Sequence, residues 1–117
     1  MAYVDGFLLT VPARKLAAYR RIAAKAGKIW REYGALEYRE CVGDDVKVKH
    51  GTPFPKAAKA KKGEVVVFSW IVYKSRAHRD RILPKIMQDK RLKMDPKDMP
   101  FDMKRMSYGG FKVIVDL

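Results

Sequence analysis

His78 is the side chain of this sequence best suited to acid–base chemistry near neutral pH. It follows Ser75, a good N-cap residue, by three positions, so we expect it in the first turn of a helix. The positive end of a helix dipole disfavours an imidazolium ion, which would leave a neutral imidazole able to accept a proton. A histidine that only caps the helix or lies at the surface is the alternative. Because consecutive helix residues do not face each other, His78 and Asp80 need not form a pair.

Asp5 and Glu40 are the carboxylates that would orient such a base. Asp5 lies in an otherwise apolar stretch, and a buried carboxylate needs either a partner or a raised pKa. Arg105 or Tyr108, near the end of the chain, is the partner we expect for it. A strand-end position that faces solvent is the alternative for Asp5.

Glu40, Asp44 and Asp45 form the densest acidic patch of the sequence. Such oxygen ligands could bind a divalent cation or hold an arginine from elsewhere in the fold. The spacing matches no EF-hand loop, which needs a longer array of oxygen ligands. We therefore favour a turn with local hydrogen bonds, or salt bridges to Arg39 or Arg105, over a metal site.

Trp70 is expected to line a cavity between sheet and helices, although a tryptophan on a central strand also suits a packed core. Arg79, Arg105 and Tyr108 are the other side chains we expect to contact a ligand. The sequence contains no Cys/His zinc spacing, no glycine-rich phosphate loop and no nucleophile elbow. These residues predict a ligand site without a metal or a cofactor.

The hydrophobic pattern predicts the elements that would position these side chains. Strands are predicted at 3–11, 36–42, 64–74 and 106–115, and helices at 13–33 and 76–88. The Lys-rich segment 46–62, which Phe54 would anchor, and segment 89–103 are predicted as loops, and Pro84 is expected to kink or split the second helix. The order predicts a single ferredoxin-like α+β domain of residues 1–117, with two helices on one face of a four-stranded antiparallel sheet.

The third predicted strand is apolar on both faces, which sets the expected assembly. Val67 and Ile71 lie on one face, and Phe68 and Trp70 lie on the other. Two helices cover only one face of a sheet, and exposing large apolar side chains is unfavourable. We therefore predict a homodimer through sheet-to-sheet packing. Cover by the Lys-rich segment is the alternative.

Composition narrows the class of protein. The chain has 117 residues, a net charge of +13 and one cysteine, Cys41, which cannot form an internal disulfide. No apolar run is long enough to span a bilayer, and the N-terminus lacks the pattern of a secretory signal. We expect a cytoplasmic protein that does not bind membranes.

The positive charge points to a second kind of partner. A surface of this charge attracts RNA or other polyanions. The residues expected to contact phosphates are Arg21, Lys25, Lys28, Lys59, Lys61 and Lys62. Sequence-specific readers of single strands add exposed aromatic rings, and most rings here are predicted to be buried. A solvated surface with unspecific affinity is the alternative.

Several blocks of this sequence resemble a known family. They are YVDGF at 3–7, ECVGDD at 40–45, FSWIVY at 68–73, Ser75 with HRD at 78–80, and PFD, RM and GGF at 100–102, 105–106 and 109–111. The chain resembles the YbaA-like bacterial family, a domain of unknown function in the dimeric α+β barrel superfamily. The resemblance implies a ferredoxin-like subunit and a sheet-to-sheet dimer, and it implies no established activity. In that superfamily the cavity between sheet and helices holds ligands in oxygenases, isomerases and haem-degrading proteins.

Two functions follow from these observations as hypotheses. In the first, a small homodimer binds a small molecule in the cavity between sheet and helices. If this site is also catalytic, the protein would be a cofactor-independent enzyme, with His78, Asp5 and Glu40 as the acid–base candidates. In the second, the protein is a basic accessory protein that binds RNA. Some relatives in the family it resembles carry a label that ties them to signal-recognition-particle RNA.

Overall fold

Four antiparallel strands and three helices make up the protein, whose computed structural model describes residues 1–117. The strands are β1 (Tyr3–Pro12), β2 (Glu37–Val42), β3 (Glu64–Tyr73) and β4 (Ser107–Lys112). The helices are α1 (Leu16–Glu32), α2 (Phe54–Ala57) and α3 (Arg76–Met87). The strands form one sheet in the order β2-β3-β1-β4. The predicted α+β class and the antiparallel four-stranded sheet are confirmed.

The central strands β1 and β3 pair along their whole length, from Tyr3 opposite Tyr73 to Pro12 opposite Glu64. This pairing fixes which residues share a face, because side chains alternate across a strand. Odd-numbered residues of β1 and β3 point to the side that carries α1 and α3, which we call the helix face. Even-numbered residues of both strands point to the opposite side, which we call the open face.

The helix face carries the core, and its apolar side chains form two clusters. One cluster joins α1 to the sheet and consists of Leu9, Val11, Tyr19, Ala23 and Val67. The other joins α3 to the sheet and consists of Ala35, Ile71, Tyr73, Ile82 and Ile86. Each large apolar side chain buried in this way contributes roughly 1.5–3 kcal/mol. Two helices on one face of the sheet, as predicted, therefore account for most of the buried core.

Both long helices begin as the sequence indicates, with local differences. A 3-10 turn at Ala13–Lys15 precedes α1, so the regular helix starts later than predicted. Ser75 caps α3 by accepting a hydrogen bond from the backbone N–H of His78. The expectation that Pro84 splits this helix is wrong, since α3 runs unbroken through it. Pro84 lies in the last turn on the exposed side, where its ring meets solvent.

The open face is only partly covered. Part of the Lys-rich segment forms the short helix α2, which was not predicted, and Phe54 anchors it by packing against Phe68 at 5.9 Å between ring centroids. Phe68 nevertheless stays 44% exposed, and Phe111 on β4 stays 62% exposed. The apolar side chains of the open face are Val4, Leu8, Val66, Phe68, Trp70, Val72 and Phe111.

Segment 89–103 contains 3-10 turns rather than regular helix. Asp89, Asp95 and Asp102 each begin one turn and accept a hydrogen bond from the backbone N–H two residues later. These aspartates act as caps, which explains why they occur at the start of each turn.

Acid should destabilise this protein through Glu64. The hydrogen bonds from Arg105, followed by the backbone N–H of Lys61, lower the pKa of Glu64 from its ordinary value of 4.5 to about 2. Because the folded-state pKa is lowered, the stabilisation is complete above pH 4.5 and is lost as the pH falls toward 2. We expect Glu64→Gln to unfold with a weaker pH dependence than the wild type across that range. Denaturant unfolding at pH 6 and at several acidic values measures this.

Asp98→Asn is the matched control for the acid experiment, because Asp98 is exposed and forms no ion pair. It should keep the wild-type pH dependence. If Glu64→Gln loses as much stability in acid as the wild type, Glu64 does not contribute to acid sensitivity.

Candidate functional site: a cleft between the first helix and an edge strand

Asp5 lies in the core of the helix face and is 7% exposed. Its partner is Arg79 on α3, and neither Arg105 nor Tyr108 contacts it. Arg79 Nε donates to both carboxylate oxygens at 3.2 Å, and Nη2 donates to Oδ1 at 2.9 Å. The Asp5 charge is thereby compensated, so this carboxylate acts as a structural anchor between β1 and α3.

Further polar contacts surround the Asp5–Arg79 pair. Arg79 also donates to Asp80 at 2.8 Å, and its guanidinium lies 5.2 Å from the centre of the Tyr3 ring. Burial, followed by the charge of Asp5, raises the pKa of Tyr73 well above its ordinary value. A Cβ atom at Gly110 would overlap the Tyr3 hydroxyl and lie 2.8 Å from Arg79 Nη2. Gly110 therefore lets the backbone of β4 approach Tyr3 and Arg79 closely.

Arg105 and Tyr108 lie apart from this pair. Arg105 forms a bidentate ion pair with Glu64 at 2.7 and 2.8 Å and donates to the Lys59 carbonyl at 2.9 Å. It therefore ties the turn before β4 to the start of β3. Tyr108 is 73% exposed and stacks on Phe7 at 6.1 Å. The two residues expected to contact one ligand thus lie at separate places.

His78 is buried at the start of α3, where its side chain bonds to the backbone just before the helix. Its Nδ1 accepts a hydrogen bond from the backbone N–H of Lys74 at 3.2 Å. Burial, followed by the charges of Arg81 and Lys74, lowers the pKa of His78. A lowered pKa keeps the imidazole neutral at neutral pH. It faces Gly34, where a Cβ atom would lie 3.1 Å from Nε2, and it does not line the cleft described below.

Trp70 lies on the open face and not between sheet and helices. It is paired with Gly6 on β1 and Arg39 on β2, it contacts Phe68 at 5.8 Å, and its Nε1 donates to Glu37 at 3.0 Å. Trp70 is even-numbered, whereas the residues that face the helices in β3 are odd-numbered. It therefore cannot line the space beneath α1 and α3.

Glu40, by contrast, lies beneath α1 and is the centre of a polar group. The Tyr19 hydroxyl donates to Glu40 Oε1 at 2.7 Å, and the Tyr38 hydroxyl donates to Oε2 at 2.8 Å. Burial, followed by the charge of Glu40, raises the pKa of both phenols well above the ordinary value. Both phenols therefore stay protonated at neutral pH and act as donors, and Glu40 is the acceptor.

This group opens into a cleft between α1 and the edge strand β2. The cleft has a volume of about 520 Å³, a size typical of small-molecule sites. Its apolar lining is Leu16, Ala23, Ala24, Val42 and Val67. Its polar lining is Tyr19, Arg20, Tyr38 and Glu40. A second depression of about 670 Å³ shares Ala24 and Tyr38 and reaches the basic residues Lys28 and Arg31. Together they form one groove along α1.

Gly27 on α1 explains how Tyr38 reaches Glu40. A Cβ atom at residue 27 would lie 2.7 Å from Tyr38 Cδ1 and 2.9 Å from Cε1. The missing side chain lets the Tyr38 ring pack directly on the helix backbone. A glycine inside a helix costs about 1 kcal/mol relative to alanine, so an unexplained glycine on a helix was a signal for this site.

We expect Gly27→Ala to destabilise the protein by about 1 kcal/mol net, because the clash of about 1–3 kcal/mol exceeds the gain in helix propensity. In a Tyr38→Ala background, Gly27→Ala should instead stabilise the protein. The clash with the ring is absent there, and only the gain in helix propensity of up to about 1 kcal/mol remains. Denaturant unfolding of the wild type, the two single variants and the double variant measures both effects. A destabilisation that persists in the Tyr38→Ala background would show that Tyr38 is not what Gly27 accommodates.

The acidic patch and the basic residues are dispersed. Glu40 turns toward the phenols while Asp44 and Asp45 are exposed, and no three His, Cys, Asp or Glu side chains converge as metal ligands.

The basic residues expected to contact phosphates are all exposed, and none forms an ion pair: Arg21, Lys25, Lys28, Lys59, Lys61 and Lys62. The first three lie on α1, and the other three lie next to the start of β3.

Sheet and cleft together define a small α+β protein with an open four-stranded antiparallel sheet and a ligand-sized groove at one edge. Residues 2–103 match the family described as "Protein of unknown function (DUF1428)". The chain is 51% identical over 116 residues to "Uncharacterized protein YbaA" of Escherichia coli K12, covering 99% of each chain. The proteins of that name from Escherichia coli O157:H7 and Shigella flexneri match equally well. The chain therefore belongs to this YbaA-like family, which confirms the resemblance.

None of the helices combines the length and the apolar character that crossing a bilayer requires.

Proposed function

We propose that the protein binds a small molecule in the cleft between α1 and β2. The observation that carries the proposal is Glu40, a half-buried carboxylate that accepts hydrogen bonds from Tyr19 and Tyr38 within an apolar groove. A carboxylate has about four acceptor positions, so roughly half remain for a ligand. Convergent polar groups in an apolar cleft are typical of ligand sites.

The proposed catalytic form of this site uses Glu40 and no cofactor. Glu40 would accept a proton from the ligand, and the two phenols would stabilise the carboxylate and hold it in place. Asp5 is saturated by Arg79, and the Nδ1 of His78 is occupied by a backbone N–H. We therefore assign Asp5 and His78 structural roles in this proposal.

Native mass spectrometry of protein purified from its own host tests the proposal. Ala24 is exposed and lines both parts of the groove, so Ala24→Phe should fill the groove without disturbing the core. We expect a bound small molecule on the wild type and its loss from Ala24→Phe. Ala17→Phe, an equally exposed position on α1 outside the groove, is the matched control and should keep it. Equal occupancy in all three proteins, or none in the wild type, would contradict the proposal.

We also propose that two subunits pair through their open faces in a dimeric α+β barrel. The order β2-β3-β1-β4 supports the ferredoxin-like arrangement that this assembly requires. The exposed rings of Phe68 and Phe111 supply an apolar surface that α2 leaves uncovered.

The absence of a second cysteine fits a cytoplasmic location.

RNA binding is the second candidate function, and the exposed rings favour it. Phe54 is 48% exposed beside Phe68 on the open face, and it lies in the Lys-rich segment. Aromatic rings next to lysines are the arrangement that single-stranded RNA recognises by stacking and phosphate contacts. This function requires the open face to be free, whereas the dimer covers it.

Fluorescence anisotropy with a single-stranded RNA oligonucleotide separates the two uses of this face. If RNA binds there, the log–log salt slope should be about −0.7 per phosphate contacted, and Phe68→Ala should weaken binding while Tyr108→Ala does not. Equal affinity for heparin, or no effect of Phe68→Ala, would leave only unspecific attraction to polyanions.

A further inference from the structure

Glu40 differs from every other sheltered carboxylate of this protein in lacking a cation. The remaining buried or half-buried carboxylates each form an ion pair with an arginine: Asp5 with Arg79, Glu37 with Arg39, Glu64 with Arg105, and Asp89 with Arg91. Glu40 forms none, although the net charge of the chain is +13. The one sheltered anion without a counter-ion thus lies in the ligand-sized cleft.

The group around Glu40 offers the acceptors that an ammonium ion needs. An ammonium has three N–H donors and no acceptor. The Tyr19 hydroxyl oxygen lies 2.7 Å from Glu40 Oε1, and the Tyr38 hydroxyl oxygen lies 2.8 Å from Oε2. The carboxylate and the two phenol oxygens are therefore adjacent groups that can each accept a hydrogen bond. Aromatic rings beside a carboxylate add a further attraction for organic cations.

The rest of the cleft limits what the ammonium can be attached to. Leu16, Ala23 and Val67 present apolar surface next to the acceptors, which suits a hydrocarbon chain or ring. Arg20 lines the same cleft and would repel a second positive charge. This arrangement favours a ligand with one ammonium group over a polyamine.

We infer that the cleft binds a primary organic ammonium ion with an apolar body, and that Glu40 is its counter-ion. This inference rests on the proposed small-molecule function of the cleft and names the class of ligand. The ammonium nitrogen donates to Glu40 and to the phenol oxygens, and the apolar body lies along α1.

Titration of the full-length protein with hexylammonium, followed by calorimetry and by NMR of backbone amides, tests the inference. Hexan-1-ol and hexanoate are probes of the same length without the positive charge. We expect hexylammonium to bind at least about tenfold more tightly than hexan-1-ol, since a hydrogen bond to a charged group is worth at least that factor. Glu40→Gln should abolish this preference, and Tyr38→Phe should reduce it.

Tyr108→Phe is the matched control, because it removes a phenol hydroxyl outside the cleft and should leave the preference unchanged. Equal affinity for hexylammonium and hexan-1-ol in the wild type would overturn the ammonium inference and leave the cleft as an apolar site. A preference that survives Glu40→Gln, or no binding of hexylammonium at all, would also overturn it. The native mass spectrum decides the proposed function independently of these probes.

Discussion

Replacing Asp5 by alanine is expected to lower the free energy of unfolding by about 3–5 kcal/mol, a large part of the stability of a domain this size. The variant leaves Nε and Nη2 of Arg79 without their partner, in a site where this side chain is only 20% exposed. Only the bond from Nη1 to the exposed Asp80 remains. An uncompensated buried charge costs more than the pair itself contributes. Chemical denaturation at neutral pH measures the loss.

Two further variants show whether the loss of stability comes from the unpaired charge of Arg79 or only from the space left by the removed side chain. Asp95→Ala removes an exposed ion pair to Lys97 and the hydrogen bond that caps a 3-10 turn, and it should lower stability by less than about 2 kcal/mol. The double variant Asp5→Leu with Arg79→Met removes both charges and should recover most of the stability lost in Asp5→Ala. A loss of less than about 1 kcal/mol in Asp5→Ala would show that water and the existing bond to Asp80 compensate the charge of Arg79.

Replacing Phe68 by glutamate is expected to convert the proposed homodimer into a folded monomer. Each subunit would lose the burial of one aromatic ring, worth roughly 1.5–3 kcal/mol, and would place a charge against its symmetry mate. The dissociation constant should rise by at least about a hundredfold. Light scattering over a concentration series gives the mass, and circular dichroism shows whether the fold is retained.

Tyr108→Glu is the control for that experiment. Its ring is more exposed than that of Phe68, but it stacks on Phe7 on the helix face. It should leave the dimer intact. A wild type that is monomeric in dilute solution, or a Phe68→Glu variant that remains dimeric, would contradict the proposed pairing.

Elements with a strong local signal could be predicted from the sequence. The apolar stripe of α1, the Ser75 cap of α3 and the apolar run of β3 all depend on neighbouring residues, and all three lie where the pattern indicated. The helix α2 has only four residues and contains a proline, so it carries no periodicity that a pattern could reveal. Pro84 does not split α3, which continues through it to Met87.

The face on which Trp70 lies had no local signal. Both faces of β3 are apolar, so alternation alone does not say which one meets the helices. That choice depends on α1 and α3, whose Tyr19 and Ile82 pack with the odd-numbered residues of the sheet.

Partners distant in sequence also escaped prediction. Arg79 is 74 residues from Asp5, and their pairing depends on how α3 rotates against β1. Glu40 was named as a candidate because it lies in an acidic patch, but its partners are Tyr19, from α1, and Tyr38, on the same face of β2. Gly27 carried the one sequence signal for this group, a helix glycine at an energetic cost.

The cleft is tested most directly by recording backbone amide NMR spectra of the labelled protein before and after adding the small-molecule fraction of a cell extract. We expect the shifted amides to cluster on α1 and β2, around Arg20, Ala24 and Glu40, and to return to their original positions in Ala24→Phe. Shifts confined to the open face around Phe68 and Phe111, or no shifts at all, would contradict a ligand site beneath α1.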